Sequence, residues 1–483
     1  MFESDFLTFA DQSKQAYQQL VARAAEIVSE FFPSQPYCGN SAHSLSALIK
    51  SDFLPEDEHS SEEIAETLKT VISNSVAVSD AATIAHLHCP PLLASLAAEV
   101  VISSLNQSMD SFDQAPIATV LEQKLVHWLC RESGLPASAD GTFTTGGSQS
   151  NYAGLLLARD AFLQRQWNWS AQEHGLHPET RRLRILCSEV AHFTVEKSAA
   201  QLGLGTNAVV RVGVDDQFRM SSVALRGALT ELEKSGLLPM AIVATAGTTD
   251  FGSIDPLADI ADIARATSSW FHVDAAYGGA LLFSPQHRGK LAGLEAADSI
   301  SIDFHKLLWQ PIPCSVFLLR DAHNFESIKM HADYLNPEAH EAEGIPDLVT
   351  KSLLTSRRFD ALKLWISLQT LGRRKLAEMI ERTMSLANHA ANVMRRTPEL
   401  ELMCEPQLST VVFRILPSGK DIDADRLNTV VRQRLFASGR AVIGHTRVRN
   451  QQCLKFTCMN PAASEVKIEN LIQAILDCAK QVL

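Results

Sequence analysis

Four groups of residues in the middle of the chain have types and an order that suit cofactor chemistry. A Gly-Gly-Ser turn at 146–148 leads into an apolar helix, and the free N–H groups at a helix N-terminus favour a phosphate. Asp274 ends a short apolar run, where a carboxylate can keep a pyridine nitrogen protonated. Lys306 follows the next such run and offers an amine for a Schiff base. His192 offers a proton donor.

Each of these features is common on its own. A Gly-Gly-Ser sequence is usually a turn, an Asp after a strand is usually a capping residue, and an isolated His is usually structural. The order and spacing of all four along the chain indicate a single site. A phosphate, a ring nitrogen, an aldehyde and a ring face together describe pyridoxal 5′-phosphate (PLP). The sequence therefore predicts a PLP site with Lys306 as the point of attachment.

The elements that position these residues alternate between short apolar runs and helical patterns. Strands are predicted at residues 184–187, 208–212, 241–246, 270–274, 299–303 and 315–319. Helices are predicted between several of them, at 194–202, 221–235 and 256–266. This alternation is typical of α/β proteins with a mostly parallel sheet flanked by helices, whose ligands bind at the carboxyl ends of the strands.

Three segments are predicted along the chain. Residues 1–100 show helical periodicity broken by Pro and Gly, and are expected to form a helical N-terminal segment. Residues 101–365 are expected to form the large α/β domain. Residues 366–483 are expected to form a small α+β domain with strands at 410–415 and 453–458. An acidic stretch from Asn336 to Pro346 is predicted to be a mobile loop.

The composition of the 483 residues narrows the classes of function. The net charge is −12 and the basic residues are scattered, which argues against nucleic acid or an anionic membrane as a partner. Nine Cys without CxxC pairs predict free thiols in a reducing compartment and no metal site. No secretory signal or apolar span is recognised, so we expect a cytoplasmic protein.

Several segments resemble the group II PLP-dependent amino acid decarboxylases. They are TTGGSQSN (144–151), SEVAHFTVEKSA (188–199), ATAGTTDFGSIDP (244–256), HVDAAYGG (272–279), DFHKLLWQPIPCS (303–315) and TSRRFDALKLW (355–365). The motif HVDAAYGG followed by a His-Lys pair is highly specific for this family. HLHCPP (86–91) and NQSMDSFDQAP (106–116) are most similar to the L-2,4-diaminobutyrate decarboxylase branch, which also holds decarboxylases of lysine and of siderophore precursors.

The resemblance implies a fold-type I PLP enzyme. Such an enzyme forms a homodimer with shared active sites, and its N-terminal segment wraps over the partner subunit. The resemblance also implies that Lys306 carries PLP, Asp274 binds the ring nitrogen and His192 stacks on the ring. Further residues implied to contact the cofactor are Gly147, Ser148, Thr249, Ala276 and His305.

Three positions bear on how this chain differs from its relatives. Lys455 falls where relatives carry an Arg facing the substrate carboxylate, so the charge is kept and the planar fork is lost. Asp303 falls near the implied phosphate position, where a carboxylate is repulsive, so we expect it to point elsewhere or to be neutralised. Leu348 falls where relatives carry a Tyr that protonates the substrate carbon, which makes His192 the first candidate for that step.

The predicted reaction removes the α-carboxylate of an L-amino acid, with L-2,4-diaminobutyrate as the favoured substrate and 1,3-diaminopropane as the product. His86 and His88 are candidate substrate contacts. Lysine, glutamate or a siderophore precursor are alternative substrates, and aminotransfer is an alternative fold-type I reaction. A third alternative is a homologue without activity that serves as a binding subunit, although the intact Lys306, Asp274 and His192 argue against it.

Overall fold

The computed structural model describes residues 5–49, 53–417 and 422–482. The chain divides into two compact units, each made of more than one segment. The first unit contains the N-terminal residues up to His86, His389–Met403 and the stretch from Val412 onward. The second unit contains Leu87–Asn388 and Cys404–Val411. These bounds fall at different residues from the predicted divisions at 100 and 365, because the N-terminal helices belong to the same unit as the C-terminal strands.

A seven-stranded sheet organises the second unit. Its strands are β1 Asp140–Thr144, β2 Leu183–Ser188, β3 Val209–Val212, β4 Leu238–Thr245, β5 Trp270–Asp274, β6 Ser299–Asp303 and β7 Ser315–Leu319. Their order in the sheet is β1-β7-β6-β5-β4-β2-β3. Strand β7 runs antiparallel to β1 and β6, whereas the other neighbours pair in parallel. The predicted α/β class with a mostly parallel sheet is confirmed, and β1 is a strand that the sequence pattern did not predict.

A four-stranded sheet contains the remaining strands, which are β8 Leu400–Leu402, β9 Thr410–Ile415, β10 Gly444–Val448 and β11 Gln451–Thr457. Their order is β10-β11-β9-β8, with β10–β11 and β8–β9 antiparallel. Within the first unit, the N–H of Thr457 donates to the carbonyl of Ile84 at 2.7 Å, and the ring of Tyr37 stacks on Phe436. These contacts hold the N-terminal residues against the C-terminal part of the chain.

The helices cover both sheets and connect their strands. They are α1 Asp11–Phe31, α2 Ala42–Leu48, α3 Ser61–Ser73, α4 Leu93–Leu105, α5 Pro116–Glu132, α6 Gly147–Trp167, α7 Ala171–His174, α8 Thr194–Gln201, α9 Ser222–Lys234, α10 Leu257–Ala266, α11 Glu338–Ala342, α12 Ala361–Arg395, α13 Ala424–Ala437 and α14 Glu465–Val482. Helix α12 is interrupted at Gly372, where φ is 67°. Among the described residues, no helix is both long and apolar enough to cross a membrane.

Helix α6 is the element that matters most for the site. It packs against β5, β6 and β7 and buries residues on several faces. The short helix α11 lies inside the stretch 336–346, which was predicted to be a loop throughout. Pro337 immediately precedes α11, and Gly344 with φ of 75° follows its end, so turn residues bound a single helical turn there.

Candidate active site

A cavity of about 300 Å³ lies at the carboxyl ends of β4, β5 and β6, beside the N-terminus of α6. Ligands of parallel sheets bind at this edge. The eight residues predicted to hold the cofactor all line the cavity, and they are Lys306, Asp274, His192, Gly147, Ser148, Thr249, Ala276 and His305. The structure therefore brings together residues that the sequence pattern and the family resemblance selected from five separate segments.

A set of hydrogen bonds, here called the Asp274 network, forms one side of the cavity and extends into the protein behind it. Its members are Asn151, His192, Thr194, His272, Asp274 and Ser301. Asn151 is 2% exposed and donates from Nδ2 to Oδ2 of Asp274 at 2.7 Å. The backbone N–H of Ala276 donates to the other carboxylate oxygen at 3.1 Å. Asp274 is 6% exposed, so these donors stabilise its anionic form where water is scarce.

The amide of Asn151 also connects Asp274 to His192. Its nitrogen lies 3.0 Å from Oγ1 of Thr194, and Oγ1 lies 3.0 Å from Nδ1 of His192. Burial lowers the pKa of His192, nearby Asp274 opposes that shift, and Lys306 adds to it. His192 is therefore neutral near pH 7 and is held by the same amide that contacts Asp274.

The strands supply the polar side of this network through their two-residue repeat. In β6, Ser299, Ser301 and Asp303 alternate with two isoleucines and so point to one face of the sheet. In β5, His272 and Asp274 alternate in the same way, with His272 opposite Ser299 in the parallel register. This polar face packs against α6 rather than against solvent, which explains why all five side chains are buried.

A second set of contacts, here called the Asp303 cluster, lies at the other side of the cavity and contains Asp303, His305, Lys306 and Ser315. Lys306 Nζ lies 3.1 Å from Oδ2 of Asp303, and the hydroxyl of Ser315 donates to Oδ1 at 2.7 Å. His305 donates from Nδ1 to the carbonyl of Cys314 at 2.9 Å, and burial lowers the pKa of His305. Since that His is neutral, Lys306 provides the positive charge that neutralises Asp303.

The first turn of α6 closes the cavity beside the Asp303 cluster. A Cβ added at Gly147 would lie 3.2 Å from Cβ of Ala276 and 3.3 Å from Oδ2 of Asp303, so a larger residue would crowd the cavity. The hydroxyl of Thr245, which also lines the cavity, is buried without a hydrogen-bond partner in the structure. Free helix N–H groups, a carboxylate, a lysine and an orphaned hydroxyl fit the phosphate, ring nitrogen, aldehyde and polar substituents of PLP.

The residues predicted to contact substrate lie elsewhere in the chain. Lys455 is buried on β11, opposite Gly444 of β10, in the first unit. His86 and His88 are exposed, and His86 has a positive φ of 61°. His88 belongs to the second unit but does not line the 300 Å³ cavity. Their roles remain predictions.

Leu348 begins a short 3-10 turn and is 1% exposed. Its side chain is a buried hydrocarbon and cannot donate a proton. Tyr334 is 89% exposed, and its hydroxyl belongs to an earlier segment of the chain. Position 348 therefore lacks the proton-donating tyrosine hydroxyl that the family resemblance implies for relatives.

Comparison with known proteins gives the family. The model of the pyridoxal-dependent decarboxylase conserved domain matches residues 43–416. The chain belongs to the pyridoxal-dependent decarboxylase family. It is thus a PLP-dependent enzyme that decarboxylates an amino acid, as the cavity and its lysine indicate.

Similar proteins extend over nearly the whole chain. L-2,4-diaminobutyrate decarboxylase of Acinetobacter baumannii is 39% identical over 98% of this chain and 94% of its own length. The enzyme of the same name from Rhizobium meliloti (strain 1021) is 40% identical over 97% and 93%. A solved structure is also similar, the glutamate decarboxylase domain of diaminobutyrate-pyruvate transaminase and L-2,4-diaminobutyrate decarboxylase from Vibrio parahaemolyticus. It has a TM-score of 0.92 and 37% identity over 99% of both chains.

The sequence alone did not identify several polar residues in and beside the cavity. Asn151 and Thr194 were noted only as letters of longer motifs, and Thr245 and Ser315 were given no role. A signal was available for one of them, because Asn151 is four residues after Gly147 and shares a face of α6 with it. A buried polar residue on the face that starts at a ligand-binding turn is a candidate for the same site.

Proposed function

We propose that this enzyme removes the α-carboxylate of L-2,4-diaminobutyrate and releases 1,3-diaminopropane and carbon dioxide. Two relatives of that name at 39% and 40% identity support the choice of substrate. The observation that carries the proposal is the shared cavity of Lys306, Asp274 and His192. An amine, a buried carboxylate and a neutral imidazole are three different requirements of this chemistry, and they occur together.

Each cavity residue has a role in the proposal. Lys306 would hold PLP through Nζ, and Asp274 would hold the ring nitrogen in its protonated form. Gly147, Ser148 and His305 bind the phosphate with the N-terminus of α6. Thr249 and Ala276 lie beside the cofactor ring. When bound, PLP supplies an electron sink for the pair that carbon dioxide leaves behind.

The protein's own groups control protons and orientation. Asn151 and the N–H of Ala276 donate to the carboxylate of Asp274 and fix its orientation. His192 returns a proton to the substrate carbon from its ring N–H and then recovers a proton from solvent, because Leu348 has no proton to give. The free amine of Lys306 lies 3.1 Å from Asp303, so that carboxylate would hold the amine whenever it is not holding PLP.

Substrate recognition and assembly complete the proposal. Lys455 binds the substrate carboxylate through a single ammonium, which gives a less directional contact than an Arg fork. His86 and His88 contribute to the rest of the substrate site. The enzyme works as a cytoplasmic homodimer with shared active sites. Exposed apolar side chains along α4, including Leu93, Leu96 and Leu105, support burial of this surface by a partner subunit.

The test is mass spectrometry of the amines formed when the purified protein with PLP meets a panel of amino acids. The panel contains L-2,4-diaminobutyrate, ornithine, lysine, glutamate, aspartate, histidine and the aromatic amino acids. We expect 1,3-diaminopropane as the dominant amine. We expect its loss in Lys306→Ala and its retention in Lys234→Ala, an exposed lysine paired with Glu231.

Other results would change the proposal in specific ways. A different dominant amine would replace the substrate and leave the reaction in place. Conversion of the cofactor to its amine form in the presence of a keto acid, without carbon dioxide release, would indicate aminotransfer instead. Full amine production by Lys306→Ala would contradict the assignment of that residue.

A further inference from the structure

The Asp274 network has a direction that follows from groups with only one possible role. An ionised carboxylate only accepts, so the amide nitrogen of Asn151 faces Asp274 at 2.7 Å. The amide oxygen of Asn151 then accepts from the hydroxyl of Ser301 at 2.8 Å and from Nε2 of His272 at 3.0 Å. The second N–H of the amide donates to Thr194. Both N–H groups and both lone pairs of the oxygen therefore have partners, and the orientation of the amide is determined.

The same direction continues to His192. The second amide hydrogen of Asn151 donates to Oγ1 of Thr194 at 3.0 Å, and the hydroxyl hydrogen of Thr194 is then directed to Nδ1 of His192, also at 3.0 Å. The backbone N–H of Thr194, which can only donate, approaches the same ring nitrogen at 3.4 Å. Nδ1 is therefore an acceptor, and the proton of the neutral imidazole is on Nε2.

The hydrogen bonds that Trp270 and Ser299 make next to His272 agree with this direction. Nε1 of Trp270 only donates, and it donates to Oγ of Ser299 at 2.8 Å. The hydroxyl hydrogen of Ser299 is then free to donate to Nδ1 of His272 at 2.8 Å, which leaves Nε2 of His272 to donate to Asn151. Burial lowers the pKa of His272 to about 4, so this ring is also neutral near pH 7.

We propose that Asn151 and Thr194 are positioning residues that select the tautomer of His192 with its proton on Nε2. This inference rests on the proposed function, in which His192 returns a proton to the substrate carbon. A His192 with its proton on Nδ1 would present a lone pair on Nε2 and could not donate from there. Because one amide holds both Asp274 and Thr194, the group at the ring nitrogen and the proton donor are oriented by a single buried side chain.

The first test reads the tautomer directly. Holoenzyme labelled with ¹⁵N-histidine is examined by magic-angle-spinning NMR, and the signal of His192 is identified by its loss in His192→Gln. We expect an unprotonated Nδ1 and a protonated Nε2 in the wild-type enzyme. A protonated Nδ1 would overturn the inference, and this reading requires no variant of the network itself.

The second test separates positioning from structural support. Thr194→Val keeps the shape of the side chain and removes its hydroxyl, whereas Thr194→Ser keeps the hydroxyl. For Thr194→Val we expect a mixture of His192 tautomers, a fall in kcat of about tenfold and an affinity for PLP within about twofold of wild type. For Thr194→Ser we expect the wild-type tautomer and recovery of most of kcat.

The two proposals fail in different ways. An unchanged tautomer and kcat in Thr194→Val would overturn the positioning role of Thr194. Formation of amine by an enzyme whose His192 carries its proton on Nδ1 would overturn this inference and leave the proposed function standing. A wild-type protein with the expected tautomer that forms no amine from any amino acid of the panel would overturn the proposed function.

Discussion

The two sides of the cavity hold charge in different ways. In the Asp274 network, a buried carboxylate is surrounded by fixed donors that belong to the protein, and two neutral histidines complete the set. In the Asp303 cluster, the carboxylate is balanced by Lys306, a flexible ammonium 3.1 Å away. The donors of the first site are a buried amide and a backbone N–H, whereas Lys306 would leave Asp303 in order to hold PLP.

This difference indicates that the partners of Asp274 are fixed, whereas the partner of Asp303 can change. Fixed amide and hydroxyl donors in a dry site stabilise a charge without reorganisation during the reaction. An ammonium on a flexible stem can move between a carboxylate and a cofactor at small cost. We therefore expect loss of the charge of Asp274 to lower activity far more than loss of the charge of Asp303.

The largest expected effect tests that contrast with one substitution on each side. Asp274→Asn keeps the shape of the side chain and removes the charge that would hold the PLP ring nitrogen protonated, which we expect to raise the activation free energy by about 3 kcal/mol. That corresponds to a fall in kcat of about 100-fold or more. In Asp303→Asn the bond from Ser315 can be kept, so we expect kcat within about tenfold of wild type. Steady-state kinetics at saturating PLP would measure both.

A comparable loss of kcat in the two variants would contradict the contrast between the two sides. The affinity for PLP gives an independent reading. Because Asp303 lies close to Gly147 at the proposed phosphate position, its neutralisation should not weaken PLP binding. A large rise in the dissociation constant of Asp303→Asn would mean that its charge has a positive role in holding the cofactor.

The next effect concerns the packing beneath the Asp274 network. A Cβ at Gly154 of α6 would lie 2.6 Å from Nδ1 of His272, which is fully buried. Gly154→Ala should therefore lower the free energy of unfolding by about 2 kcal/mol through overpacking. Gly227→Ala on α9 is the matched control, since a Cβ there meets nothing within 4 Å and alanine is the better helix former. Urea denaturation of both variants would show the difference, and equal stability would mean that His272 can move aside.

Much of the fold was predictable from local pattern. The bounds of β5, β6 and β7 match the predicted runs residue by residue, because these strands are short apolar runs bounded by turn residues. Strand β1 was missed because its sequence, DGTFT, contains one large apolar residue, and its strand geometry depends on pairing with β7 far along the chain. The composition of the first unit also depends on such distant contacts, including Ile84 with Thr457.

The candidate site was predictable only where its residues follow strands. Asp274 and Lys306 could be found because a polar residue after an apolar run is conspicuous. The alternation of Ser299, Ser301 and Asp303 with isoleucine is the pattern of a strand with one solvated face. In the folded chain that face is covered by α6, and no local rule distinguishes a polar face covered by a helix from one covered by water. The network around Asn151 was hidden for this reason.

The smallest expected effect is on the pH dependence of stability, and it tests whether His272 of the Asp274 network is neutral in the folded enzyme. Burial lowers the pKa of His272 from 6.5 to about 4, although nearby Asp274 opposes the shift. Between these values the unfolded chain binds a proton that the folded chain does not, so the contribution to stability is present above pH 6.5 and is lost as pH falls toward 4. Burial raises the pKa of Asp255 to about 7, and that group gives the opposite slope, with stability lost as pH rises toward 7.

Comparison of variants isolates the contribution of His272, because Asp255 is common to all of them. From pH 6 to pH 5, wild type should lose about 1 kcal/mol more of its free energy of unfolding than His272→Gln, as measured by urea denaturation at each pH. His323→Gln, at an exposed histidine of the same unit, should keep the wild-type slope. An identical slope in wild type and His272→Gln would mean that His272 accepts a proton in the folded state. Asp274 would then be balanced by a charged imidazolium rather than by neutral donors, and the contrast with the Asp303 cluster would no longer hold.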